Sequence, residues 1–512
     1  MLVKTYGSAV QGVDAFTITM EVHLGTPFGF TMVGLPDNAV RESKERVETA
    51  IKVSGYDWPR GRLVVNMAPA DIRKEGSAYD LGLGVAILAA SGQVSSKRLE
   101  QYLIMGELSL DGTVHPIRGV LPIAIAARTQ GFKGFILPKG NANEAAIVNE
   151  LDIIAVDNLR EAAEFLHGTR KITPRKTDTR SSFSHAQQDF PLDFADVKGQ
   201  TMAKRALEVA AAGGHNVLLV GPPGAGKTML AKRIPSILPP LSLREALEAT
   251  KIHSVAGLLG KHASLLAHRP FRSPHHTTSN VALCGGGSFP QPGEISLAHN
   301  GVLFMDELPE FKRNVLEVLR QPLEDRNITI SRARFTVAYP ANFMLVASMN
   351  PCPCGLYTHP DRECRCAPQS VHKYLNRISG PLLDRIDLHI EVSPVDFDQL
   401  NTSRIPEKST AIRKRVMQAR TTQQARFKEF EGIHSNAMMT SPMTRKFCPI
   451  DKAGKDFMRK AMFKLGLSAR AYDRILKVAR TIADLKGREK IEGDDIAEAI
   501  HYRNLDREGW AG

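Results

Sequence analysis

The sequence predicts an α/β chain in about three parts, and three observations carry that prediction. Its 512 residues exceed what one hydrophobic core ordinarily fills. Apolar residues alternate between strand and helix periods over 1–170 and again over 193–400, whereas 401–512 has mostly helical spacing and a basic character. Between the first two parts, KITPRKTDTRSSFSHAQQDF lacks apolar periodicity, so 171–192 is expected to be a linker.

In the first part, FTITMEVHL alternates as a strand. DNAVRESKERVETAIKVSG spaces Val40, Val47 and Ile51 on one helical face, with Asp37 as N-cap and Gly55 as stop. RLVVNM, YLIMGELSL and GFILP are expected strands; LGLGVAILAAS and VLPIAIAART are expected helices. In the third part, Ile412 to Phe430 carries six Lys or Arg against one Glu.

Lys plus Arg number 67 against 54 Asp plus Glu, a formal charge of +13 that favours a polyanionic partner, nucleic acid first. No run approaches the ~18 apolar residues of a membrane span, so no membrane partner is expected. MLVKTYGSAVQG lacks the apolar core of a secretion signal. Six cysteines in this length do not make a disulfide scaffold, and a cytoplasmic protein is the consistent expectation.

The strongest signal is NVLLV-GPPGAGKT-MLAKRI. A buried strand runs into the loop Gly221-Pro222-Pro223-Gly224-Ala225-Gly226, and a helix opens at Lys227 and Thr228. Such a loop turns backbone N–H groups around phosphate oxygens; Lys227 neutralises β/γ charge and the Thr228 hydroxyl holds Mg²⁺. GVLFMDEL, 78 residues beyond Thr228, supplies Asp306 for the Mg²⁺ shell and Glu307 to orient water. Together these predict ATP hydrolysis. FMLVASMN is a further apolar strand ending in Asn350, whose amide can reach the γ-phosphate or the lytic water. GPLLDRIDLHIEV offers Arg385 between Asp384 and Asp387, either salt-bridged or projecting onto a neighbouring subunit's phosphate. Arg470 opens a helix where it can act as a second phosphate sensor.

Cys352, Cys354, Cys364 and Cys366 form C-x-C-x9-C-x-C. Four thiolates can hold a structural Zn²⁺ tetrahedrally, although zinc knuckles more often use C-x-x-C. Reduced loop cysteines or a redox-labile pair fit the spacing too. His275 and His276, in a polar loop, are expected to hydrogen-bond structurally.

These residues resemble the AAA+ ATPases of the magnesium-chelatase branch, and within it the YifB/ComM family. The resemblance rests on FRSPHHTTSNVALCGGG, PGEISLAHNGVLFMDELPEF, QPLEDRNITISRARFTVAYPANF, NPCPCG and SGPLLDRIDLHIEV, and spans essentially the whole chain. It implies an AAA+ core over 193–400 with a parallel sheet, a helical lid over 401–512 and a homo-hexameric ring using ATP and Mg²⁺. It also assigns Lys227 and Thr228 to Walker A, Asp306 and Glu307 to Walker B, Asn350 to sensor 1, Arg385 to the arginine finger and Arg470 to sensor 2. ComM-like members are DNA helicases that drive branch migration during natural transformation, which implies single-stranded and branched DNA as partners. In the wider branch, hairpins such as DRNITISRARFTVAYP face the ring pore, making Arg332 and Arg334 candidates for gripping phosphates. Residues 1–170 resemble the α+β Lon-protease domain, but Ala78 stands where that family has its nucleophilic Ser, with Ser77 one place early, and Leu121 where it has its Lys. An apolar side chain cannot deprotonate a hydroxyl, so no peptidase activity is expected. The rivals to a DNA motor are a chelatase-type remodeller acting on a protein partner and, with less support, an ATP-dependent protease.

Overall fold

The computed structural model describes residues 1–74, 76–177, 179–187, 190–259, 265–287, 290–332, 335–357, 359, 362–395 and 406–503. The chain divides into two compact units, one of residues 1–185 with 247–266, the other of 186–246 with 267–512.

A seven-stranded mixed sheet organises the first unit. Its strands are β1 (Leu2–Gln11), β2 (Asp14–Gly25), β3 (Gly29–Val33), β4 (Arg62–Ala68), β5 (Tyr102–Ile104), β6 (Gly134–Pro138) and β7 (Asp152–Val156), in the order β3-β4-β2-β1-β5-β6-β7. In β2 the period of two buries Ile18, Met20 and Val22 on one face. Helix α1 (Asn38–Val53) starts where Asp37 Oδ1 accepts from the Val40 N–H at 2.8 Å, and it buries Val40, Val47, Ala50 and Ile51. Helix α2 (Asp80–Ala90) is buried at every position, as its unbroken apolar run requires. Helices α3 (Val120–Thr129) and α4 (Leu159–His167) also belong to this unit. YLIMGELSL is not one strand: β5 ends at Ile104, and the Gly106 N–H turns to the Ala78 carbonyl at 2.8 Å. The stretch expected to be a linker contains a short helix, Thr179–Ala186.

The second unit is built on a five-stranded, all-parallel sheet. β8 (Val217–Val220), β9 (Phe271–Arg272), β10 (Val302–Met305), β13 (Met344–Met349) and β14 (Leu388–Glu391) run in the order β9-β10-β13-β8-β14. Every residue of β8, β10 and β13 is buried, the mark of a sheet covered on both faces. The antiparallel hairpin of β11 (Asn327–Arg332) and β12 (Phe335–Pro340) precedes β13. Helices α5 (Thr201–Gly213) and α6 (Lys227–Ile237) pack on the sheet. Helix α7 (Leu243–Val255) follows, and from residue 247 it belongs to the first unit. Beyond α8 (Pro368–Leu375), the C-terminal helices α9 (Ser409–Arg426), α10 (Lys452–Leu465), α11 (Ala469–Leu485) and α12 (Gly493–His501) share the core of the second unit through Ile412, Val416, Met458, Ile475, Ile482 and Ile496. Polar contacts fix them: Arg426 grips buried Asp484 at 2.6 Å, and His215 meets Thr481 at 2.8 Å. No helix among the described residues is long and apolar enough to cross a membrane.

Candidate active site

Parallel register assembles the site. Val220 lies opposite Met349, so the loop leaving β8 at Gly221 emerges beside Asn350. Met305 lies opposite Ala347, so Asp306 emerges beside Ser348. The ends of β8, β10 and β13 therefore bring three separate segments to one carboxyl edge, where parallel sheets bind ligands.

Around that edge the polar atoms close on one another. Lys227 Nζ donates to the carbonyls of Gly221 at 2.6 Å and Pro222 at 2.9 Å, and to Asn350 Oδ1 at 3.1 Å. Burial pulls its ammonium pKa down, against the pull of Asp306 and Glu307. The Thr228 hydroxyl donates to Asp306 Oδ2 at 2.8 Å, while Ser348 donates to the other oxygen of that carboxylate. Gly224 and Gly226 have φ of +80° and +90°, which a side chain would strain, and the space over both is open. Pro223 packs against Gly355, and the Ala225 carbonyl accepts from Gln200 Nε2 at 3.1 Å. Glu307 has φ +55°; its exposed carboxylate lies 3.4 Å from His276 Nδ1.

This donor set fits a nucleotide with Mg²⁺. The loop offers a cation and a left-handed backbone around open space, suited to phosphate oxygens. Thr228 and Asp306 present a hydroxyl and a carboxylate within one hydrogen bond, the oxygen ligands a hard divalent cation takes.

Lys227, Thr228, Asp306 and Asn350 thus meet directly, with Glu307 next in sequence. Arg385 is elsewhere. Its side chain is only 8% exposed and bonds Glu324 and, at 2.6 Å, the Pro381 carbonyl; its buried Nε has no partner among the described residues. Neither flanking aspartate is its partner: Asp387 instead bonds Arg474, His215 and the Asn216 N–H. Burial alone would raise the Asp387 pKa, but those partners outweigh it and hold the carboxyl well below its usual range. Arg470 is exposed on the first turn of α11, without a hydrogen bond or ion pair among the described residues. Arg332 ends β11, with backbone paired to Phe335; Arg334 lies outside the described residues.

Ser348, Gln200 and His276 are contacts that sequence reasoning missed. A hydroxyl inside the otherwise apolar FMLVASMN was the available signal for Ser348, and Gly199-Gln200 ahead of a helix was the signal for Gln200. His276 was expected to hydrogen-bond structurally, and its contact with Glu307 had no local signature.

The four clustered cysteines follow two residues after Asn350, and their sulfurs all lie within 4.8 Å of one another. In the first unit, Leu121 is fully buried in the core on α3 and Ala78 is partly buried against it.

Residues 193–400 match the family described as magnesium chelatase, subunit ChlI. Residues 18–141 match subunit ChlI of Mg-chelatase, and 406–503 match the ChlI C-terminal family. YifB of Escherichia coli is 45% identical over 503 residues, 98% of this chain and 96% of that relative. Competence protein ComM of Haemophilus influenzae is 44% identical over 510 residues, 99% of this chain and 98% of that relative. The chloroplastic magnesium-chelatase subunit ChlI of Nicotiana tabacum is 26% identical over 221 residues, 43% of this chain and 45% of that relative. A loop–lysine–carboxylate edge on a parallel sheet and full-length identity above two fifths agree: the chain belongs to the YifB/ComM family, with a magnesium-chelatase-like AAA+ domain.

Proposed function

We propose that the chain is an ATP-driven DNA motor, working as a homo-hexamer in the strand exchange of natural transformation or recombination. The observation that carries this reading is the meeting of Lys227, Thr228, Asp306 and Asn350 at one sheet edge. It is supported by near full-length similarity to a relative called a competence protein and by the net charge of +13. Lys227 exchanges the loop carbonyls for phosphate oxygens, and the loop N–H groups hold the rest of the chain of phosphates. Thr228 and Asp306 would hold Mg²⁺, which when bound draws charge from the β- and γ-phosphates. Ser348 fixes the Asp306 carboxylate so that its free face meets the metal. Glu307 orients the attacking water, and His276 holds that carboxylate in place until substrate arrives. Asn350 reports the γ-phosphate to the rest of β13.

Arg385 acts in trans in this reading. It trades Glu324 for a neighbouring subunit's γ-phosphate, where a guanidinium stabilises transition-state charge. Arg470 serves as the lid's own phosphate contact, and Arg332 and Arg334 are the residues assigned to the DNA backbone.

Branch migration of a labelled three-strand junction is the test. Wild type with ATP should resolve the junction; Glu307→Gln should bind ATP and leave it in place. The chelatase-type reading, favoured by the family descriptions matched along the chain, predicts instead an ATPase indifferent to every form of DNA.

A further inference from the structure

We propose that Cys352, Cys354, Cys364 and Cys366 bind one structural Zn²⁺, and that this metal site braces the nucleotide loop and Asn350. The sulfur of Cys352 lies 3.3 Å from that of Cys354 and 3.7 Å from that of Cys364; Cys354 and Cys364 are 3.6 Å apart. Four sulfurs at tetrahedral corners about 2.3 Å from zinc are about 3.8 Å from one another. These three spacings are close to the edges of that tetrahedron, and the Cys366 sulfur lies within 4.8 Å of the other three. They are also far longer than the ~2.05 Å of a disulfide.

Thiols by themselves have little reason to converge like this. They are weak hydrogen-bond donors, and as thiolates they repel, yet Cys352 is completely buried. A cation shared by all four supplies the missing attraction. The chain is shaped for it. Gly355, at φ +79°, returns its N–H to the Cys352 carbonyl at 3.0 Å, and this tight turn brings Cys352 and Cys354 to one side. An all-sulfur tetrahedral set selects zinc or iron over Mg²⁺, so this metal is distinct from the one expected at Asp306.

The bracing follows from what the turn touches. A Cβ on Gly355 would lie 2.4 Å from Pro223 Cδ, so the cysteine loop packs directly under the phosphate loop. Its N-terminal end is Asn350, which touches Lys227. The metal therefore closes a short loop whose entry holds Asn350 and whose tip supports Pro223. This second half of the proposal rests on the nucleotide-site reading above; the first half does not.

The test is metal analysis of the full-length chain purified without added metal, with nucleotide binding measured in parallel. We expect one zinc per chain, released by a mercurial thiol reagent. Growth with Co²⁺ should give the intense visible bands of a tetrahedral thiolate site, a readout that needs no mutant. Cys364→Ser with Cys366→Ser should lose zinc and weaken a fluorescent ATP analogue at least about tenfold, while Cys284→Ser keeps both. Lys227→Ala should lose the nucleotide and keep the zinc, which separates the two claims. A metal-free wild type, or iron in place of zinc, would overturn the metal assignment. A zinc-free double variant that binds nucleotide like wild type would overturn the bracing. Nucleotide binding lost from wild type with zinc present would defeat the ATP reading and leave the metal site standing.

Discussion

Helices α3 and α6 both open after a glycine in the left-handed region, Gly119 at φ +70° and Gly226 at φ +90°. Each start exposes N–H groups that attract negative charge. In the second unit, α6 follows Gly226 with Lys227 and Thr228 under open space. In the first, α3 follows Gly119 with Val120 and Leu121, and the chain fills the anion position itself: buried Glu144 accepts from the Leu121 N–H at 3.0 Å and from Ser254 at 2.5 Å. The aspartates repeat the contrast. Asp306 is held by two hydroxyls, which can yield to a cation, whereas Asp80 is buried against Arg46 through bonds of 2.8 and 3.1 Å. Similar elements become a reactive edge or a scaffold according to whether their polar groups are exchangeable or already satisfied.

The sharpest way to break this comparison is Lys227→Ala, which should lower ATP turnover by at least about a thousandfold and leave the melting of the full chain nearly unchanged. Arg46→Ala should do the reverse. Removing one partner of a buried pair costs about 3–5 kcal/mol, read by denaturant unfolding, while ATP affinity stays as in wild type. A loss of ATP affinity there would mean that the first unit is not merely a scaffold.

Asp80 also predicts a pH dependence. Burial raises its pKa from 3.8 to about 6, against the opposing pull of Arg46. The folded state then holds this proton more tightly than the unfolded chain, so the Asp80 contribution to stability is greatest below 3.8 and declines as pH rises towards 6. Unfolding free energies of wild type and Asp80→Asn, compared from pH 4 to pH 6.5, should diverge by about 2 kcal/mol, with wild type losing ground. A constant difference would refute the assignment. The smallest effect is expected for Ser254→Ala, about 1 kcal/mol, since Glu144 still accepts from the Leu121 N–H when the hydroxyl is gone.

The sequence made the reactive edge legible because each of its segments leaves the end of an apolar strand, and parallel pairing brings those ends together. Helix α1 was equally legible through Asp37 and its apolar spacing. The rest depended on distance along the chain. Arg385 pairs with Glu324, 61 residues away, and not with either neighbouring aspartate, so local charge pattern could not reveal its partner. Residues 247–266 read as part of the strand–helix alternation around the phosphate loop, yet they pack with the first unit. Periodicity says that a face is buried and is silent about what buries it. The four cysteines declared themselves by type, but their contact with Pro223 came through a glycine turn that no spacing rule describes.

One measurement bears most directly on the central claim: ATP turnover per chain, followed across protein concentration with and without single-stranded DNA. A site completed by a neighbour's Arg385 and driven along DNA predicts a rate per chain that climbs with concentration and rises further with DNA. A rate that is the same at every concentration and with every polynucleotide would contradict it.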